Sequence, residues 1–196
     1  MVCNWRILIS GFQQSRSGAT GFETLWLAMR GIESPETIVV PCIWRDDFLG
    51  LADRIHRCSQ PSLSRKPDIR VFAYSWGVGH GAMRFAKALR NRGLQVSHAV
   101  FSDPVYHSWR RPWAALFGRL IMPQIVVPDN VIAVDWFRQR NNRPMGHDLC
   151  RHDSDGWGPG TGINDPVELD RTHEWMDDAP EFHAKSLEVA KGGLAC

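Results

Sequence analysis

The chain has no apolar run long enough to cross a bilayer. Met1 to Gly11 lack the apolar length and the cleavage pattern of a secretory signal. Neither sign of charge dominates: 23 Lys and Arg against 21 Asp and Glu leave a formal net charge of +2, which makes no electrostatic case for a nucleic-acid partner. Cysteine is sparse and odd in number. The five residues Cys3, Cys42, Cys58, Cys150 and Cys196 follow no regular spacing, which argues against a disulfide framework. A reducing, cytoplasmic setting fits them better. No internal repeat and no linker interrupts the 196 residues, so one domain over 1–196 is expected, large enough for one sizeable core. Tryptophan is abundant instead, with nine copies, which suggests aromatic surface near a site as well as core.

What is present alternates strand and helix. Trp5 to Gly11 reads as a first strand, followed by a polar loop from Phe12 to Ala19. Thr20 and Glu23 have the spacing of a capping box, and Phe22, Leu25, Trp26 and Met29 repeat on one helical face. Thr37 to Trp44 is a second strand, near an edge because Pro41 cannot donate to a ladder. Asp46 is placed to cap a helix through Phe48, Leu51, Ala52 and Ile55. Ile69 to Ala73 is a third strand, with Val78, Ala82, Phe85, Ala86 and Leu89 as the buried stripe of the helix behind it. Val96 to Phe101 is a fourth strand, and Trp113, Leu116, Phe117 and Leu120 mark a crossover helix to a fifth, Val131 to Phe137. A glycine- and aspartate-rich stretch covers about 138–165, too long for a structureless loop in a compact domain. Pro180 to Lys191 is a last helix. Such alternation predicts an α/β fold: a doubly wound, mainly parallel sheet of five to six strands with helices on both faces.

The chemistry is concentrated at Ala73-Tyr74-Ser75-Trp76-Gly77, where a strand runs straight into a helix. A serine between small residues on such a turn reads as a nucleophile elbow, whose tight backbone lifts the hydroxyl above the sheet edge. With strand order 2-1-3-4-5, the winding reverses between strands one and three, and ligands bind beyond the carboxyl ends of strands at that point. The loop after strand one then faces Ser75. The amide of Trp76 and one from Phe12 or Gln13 can converge on a developing oxyanion, each such donor contributing roughly 3 kcal/mol.

Serine needs a base, and the base needs an acid to orient it. Asp103, at the carboxyl end of strand four and turned away by Pro104, is the favoured acid; Asp135 in strand five is the rival. Of eight histidines, His147, His152, His173 and His183 follow the last long strand. A serine, acid, histidine order with the histidine on a loop there favours His147 or His173, and His173 stands immediately before the final helix. That position favours His173, with His147 the alternative. A histidine base predicts activity that rises with pH as the imidazole loses its proton.

In this order the residues resemble the α/β-hydrolase superfamily over most of the chain. Gly11-Phe12 is similar to the family's oxyanion loop. Ala73-x-Ser75-x-Gly77 departs from its elbow by Ala for the first Gly. Asp103-Pro104-Val105 looks like the acid position of lipases whose aspartate follows the strand after the elbow. His173-x-x-Met176-Asp177 before a helix resembles its histidine loop. The family's first two antiparallel strands have no counterpart before Trp5, which implies a minimal version of the fold. The resemblance implies a serine hydrolase and names no substrate. The chemistry of an acyl-serine triad makes hydrolysis of a carboxylic ester, in a small-molecule or lipid-like substrate, the expected reaction, with no metal or organic cofactor needed. A thioesterase or amidase on the same fold, or a binding module that keeps the elbow as scaffold, are the alternatives.

Other signals weigh less. Gly77-Val-Gly-His-Gly81 has its third glycine one residue too early for a dinucleotide fingerprint. His147, Asp148, Cys150, His152 and Asp153 crowd together without zinc spacing. The segment 106–117 mixes aromatic and basic residues beside the expected site. Gln13, Trp109 and Trp113 are candidates to contact substrate there, and 104–122 is a candidate lid.

Overall fold

The computed structural model describes residues 4–11, 21–59, 66–106, 124–151, 160 and 162–192. In chain order these form β1 (Asn4–Ser10), α1 (Gly21–Arg30), β2 (Thr37–Ile43), α2 (Phe48–Ser59), β3 (Asp68–Tyr74), a π-helical turn (Gly77–Ala82) running into α3 (Met83–Arg90), and β4 (Val96–Ser102). There follow β5 (Gln124–Val126), β6 (Val131–Arg138), β7 (Asp148–Cys150), β8 (Val167–Glu168), a 3-10 turn (His173–Trp175) and α4 (Pro180–Lys191).

Six strands make the main sheet in the order β2-β1-β3-β4-β6-β8, parallel at every pairing. This is the doubly wound α/β sheet that the alternation predicts, with β1 and β3 adjacent where the winding reverses. Pro41 lies in β2, an edge strand of that sheet, where its missing N–H leaves no ladder bond unmade. The stretch 138–165 holds more than a loop: β7 pairs with β5 as a separate two-stranded sheet, and Ile163 bridges to Val134 of β6.

Alternation along each strand sends side chains to opposite faces. Ile7, Ile9, Val71, Ala73, Ala99 and Phe101 point toward α2 and α3, in a core with Phe48, Ile55, Phe85 and Leu89. Leu8, Phe72, Tyr74 and Val100 point the other way, toward α1 and α4, in a core with Phe22, Leu25, Met29 and Phe182. Helices therefore cover both faces. Asp47, rather than Asp46, caps α2: its carboxylate accepts from the Gly50 amide at 3.0 Å, while Asp46 turns back to the Ile43 amide at 2.9 Å.

The far end of α4 is anchored by two guanidinium groups. Arg6 is fully buried and donates to Ala190 O at 2.7 Å and pairs with Asp68 at 3.0 Å; Arg70 donates to Val189 O. Guanidinium groups satisfy the last carbonyls of a helix and favour its negative end. Burial lowers the pKa of Arg6, offset in part by Asp68. With its carboxyl end held in this way, α4 keeps its first turn, and the His173 segment before it, over the carboxyl edge of the sheet.

Candidate active site

β3 ends at Tyr74, and Ser75 turns the chain with φ 55°, in the left-handed region that a residue with a Cβ adopts at a cost of about 1–3 kcal/mol. Its backbone is tied on both sides: the amide donates to Ser102 O at 3.0 Å, and the carbonyl accepts from Val78 at 3.0 Å and Val105 at 3.1 Å. The turn packs directly on the end of β1. A Cβ on Gly77 would lie 2.2 Å from Ile9 O and 2.8 Å from Ser10 O, both backbone atoms. A Cβ on Gly11 would lie 3.0 Å from the Cβ of Ser75. Glycine at 11 and 77 is what lets strand one and the elbow touch. The glycines of 77–81 thus serve close packing: a Cβ on Gly79 would lie 2.3 Å from Val105 O.

Asp103 follows β4 and also has positive φ, 42°. Its amide donates to Phe137 O at 2.8 Å, and its carboxylate is fully buried. His173 opens the 3-10 turn ahead of α4. The segment is fixed from beneath by Ser102, whose hydroxyl donates to Met176 O at 2.6 Å, and by Gly21, where a Cβ would lie 2.4 Å from Asp178.

These placements bring three side chains into one line. The Ser75 hydroxyl lies 2.9 Å from His173 Nε2, and His173 Nδ1 lies 2.5 Å from Asp103 Oδ2. A carboxylate can only accept, so the ring proton sits on Nδ1, and Nε2 is left with a lone pair facing the hydroxyl. That arrangement can take a proton from Ser75 as its oxygen attacks. The rivals lie elsewhere: Asp135 pairs with His98 at 2.9 Å and accepts from Asn164 at 2.5 Å, and His147 is buried with its amide donating to Pro104 O at 2.7 Å.

Several residues at the site carry no local sequence signal. The Tyr74 hydroxyl donates to His173 O at 2.7 Å, and its ring stacks on the imidazole with centroids 5.2 Å apart. Burial, then the carboxylates of Asp177, Asp103 and Glu174, push the Tyr74 phenol above its ordinary range. Asn142 Oδ1 accepts from the His173 amide at 2.7 Å, while its Nδ2 donates to Glu174 at 2.8 Å. The Glu174 carboxyl is held below its usual value by its own backbone amide and then by Asn142. Gln139 is fully buried against Asp103. On the elbow's far side Trp76 meets Trp44 edge-on at 5.0 Å and His80 at 5.3 Å, and His80 stacks on Tyr106 at 4.8 Å. The high tryptophan count hints at such an aromatic group but not at its members.

Trp76 follows Ser75 and starts the helical backbone with φ −63° and ψ −24°. Phe12 and Gln13, expected at the oxyanion hole and substrate, and Trp109 and Trp113, expected at the substrate, lie outside the described residues, as does most of the candidate lid 104–122. Among the described residues no group of three or more His, Cys, Asp or Glu could hold a metal ion, and Asp148 pairs instead with Arg138. No helix among them is long and apolar enough to cross a membrane.

No protein-family model matches the chain, and no curated protein matches it. Among solved structures it is similar to the type II thioesterase YbtT from the Yersiniabactin NRPS/PKS biosynthetic pathway. The identity is 14% and the TM-score 0.45, over 93% of this chain and 91% of that one. A likeness at that level carries no argument about chemistry, so the functional assignment rests on the geometry of the site itself.

Proposed function

We propose that the chain is a serine hydrolase of the α/β-hydrolase type that cleaves a carboxylic ester through an acyl-serine intermediate. The observation that carries this assignment is the unbroken hydrogen-bonded line from the Ser75 hydroxyl through His173 to Asp103. Ser75 Oγ attacks the ester carbonyl carbon while its proton passes to His173 Nε2, and Asp103 stabilises the imidazolium that forms. Collapse of the tetrahedral intermediate expels the alkoxide, which takes the Nε2 proton and leaves as the alcohol. Water then attacks the acyl-serine, giving its proton to the same nitrogen. The carboxylic acid departs, and Ser75 regains its hydrogen.

The amides of Trp76 and Phe12 are the proposed oxyanion donors, and Gln13, Trp109 and Trp113 the proposed substrate contacts. The ring of Trp76, backed by Trp44, His80 and Tyr106, offers an apolar wall beside the nucleophile, suited to a small-molecule or lipid-like ester. These steps call on no metal or organic cofactor. A reducing, cytoplasmic setting is proposed from the thiols of Cys58 and Cys150, which stand unbridged.

The test is turnover of matched ester, thioester and amide substrates of graded chain length by the wild type and Ser75→Ala. Ester hydrolysis lost in Ser75→Ala supports the assignment. A faster rate on the thioester would move the bond class to thioesterase. No turnover of any substrate would leave the non-catalytic binding module.

A further inference from the structure

The proposed acid and base are held from one loop, and that loop lies on neither residue's own element. Gln139 immediately follows β6 and is fully buried. Its Oε1 accepts from the backbone amides of Asn141 at 2.7 Å and Asn142 at 3.0 Å. Backbone amides can only donate, so the carboxamide cannot be turned over, and Nε2 must face the other way. There it donates to Asp103 Oδ2 at 3.1 Å, to Pro144 O at 3.0 Å and to Asn142 O at 3.2 Å, while the Gln139 amide donates to Oδ1 at 3.3 Å.

The turn that Oε1 holds closed carries Asn142 into place. Asn142 has a fixed orientation too, since its Oδ1 accepts from the backbone amide of His173 and its Nδ2 donates to Glu174. One side chain therefore grips the acid with its nitrogen, and through its oxygen sets the turn that grips the base. Gly146 leaves room for this: a Cβ there would lie 2.3 Å from Asp103 Oδ1.

We propose, resting on the serine-hydrolase assignment above, that Gln139 is a positioning residue whose carboxamide clamps Asp103 and, through Asn142, fixes His173 against it. It touches neither substrate nor the reacting atoms. It acts by holding the carboxylate and the imidazole in register before substrate arrives, which is where preorganisation acts on rate.

Gln139→Glu separates this role from bulk packing. Protonated, the new side chain keeps one accepting oxygen for Asn141 and Asn142 and one O–H donor for Asp103. Deprotonated, it sets a second carboxylate against Asp103, where like charges repel. The ionisable groups around the pair are His173 on the other side of Asp103, Tyr74 of β3, Asp177 and Glu174 of the histidine segment, and His147 beyond Pro104. Arg138 and Arg140, on either side of Gln139, are engaged by Glu168. All are common to both proteins, so the ratio of rates isolates position 139.

The experiment measures the rate of Ser75 phosphonylation by a fluorophosphonate across pH, per folded protein, in the wild type, Gln139→Glu and Gln139→Met. The Gln139→Glu rate divided by the wild-type rate should be nearest one in acid and fall by about 10-fold or more as pH rises, the range for losing a hydrogen bond to a charged group. Gln139→Met, which keeps length but has neither polar atom, should be slower at every pH. A Gln139→Glu ratio that stays level with pH would overturn the clamp while leaving the hydrolase assignment intact. A wild type that is not phosphonylated on Ser75 would remove that assignment, and the clamp with it.

Discussion

Tyr74 and His173 meet twice: the phenol donates to the histidine's carbonyl at 2.7 Å, and the two rings lie stacked with centroids 5.2 Å apart. The residue just before the proposed nucleophile thus supports both the backbone and the ring of the proposed base. Tyr74→Phe keeps the stack and removes only the hydrogen bond. A neutral hydrogen bond contributes about 1 kcal/mol net, so hydrolysis should fall roughly 5- to 10-fold. Tyr74→Leu, which removes both contacts, should cost more. Equal losses in the two variants would mean that the hydroxyl alone matters.

The same phenol predicts how stability changes with pH. Burial and the nearby carboxylates hold its pKa above the ordinary 10.0, so the fold binds that proton more tightly than the unfolded chain does. The stabilisation is complete below about pH 10 and is lost as pH rises toward the folded value. Denaturant unfolding from about pH 8 to about pH 11 should show the wild type losing more stability than Tyr74→Phe. A gap between the two proteins that stays constant over that range would contradict this.

Asp103 and Asp135 offer a direct contrast, since each carboxylate pairs with a histidine. Asp103→Asn should lower kcat roughly 1,000- to 10,000-fold, because the amide no longer holds the imidazole proton on Nδ1. Asp135→Asn should leave activity within about 2-fold, because Asp135 pairs with His98 and not with the proposed base. The reverse pattern would transfer the acid's role to strand β6.

Gly77→Ala tests the contact between the elbow and β1. The added methyl meets the carbonyls of Ile9 and Ser10, which are backbone and cannot turn aside. A loss of about 1–3 kcal/mol in stability is expected from forced overpacking. An unchanged midpoint in chemical denaturation would show that the turn has room.

The α/β order was readable because each long element carries its own period. The stripe Val78, Ala82, Phe85, Ala86 and Leu89 is buried along its whole length, and the last helix runs from Pro180 to Lys191 as its pattern implies. β5, β7 and β8 were not readable, because strands of two or three residues are too short to show alternation. Ser75, Asp103 and His173 stand out singly by turn chemistry and position along the chain. Gln139, Asn142 and Tyr74 do not. Their partners lie 36, 31 and 99 residues away, so their roles exist only once the chain has folded. Trp44 and Tyr106 look from sequence like ordinary strand-end and loop residues, and only the fold brings them against Trp76 and His80, which stand four residues apart on the turn after Ser75.

The most direct test of the central claim is mass-spectrometric site mapping after exposure to a fluorophosphonate. Attack by Ser75 Oγ on phosphorus should expel fluoride and leave one covalent adduct on the peptide containing Ser75. That adduct should be absent in Ser75→Ala and nearly so in a His173→Ala variant that remains folded. An unmodified Ser75 in the folded wild type, or an adduct carried by another residue, would contradict it.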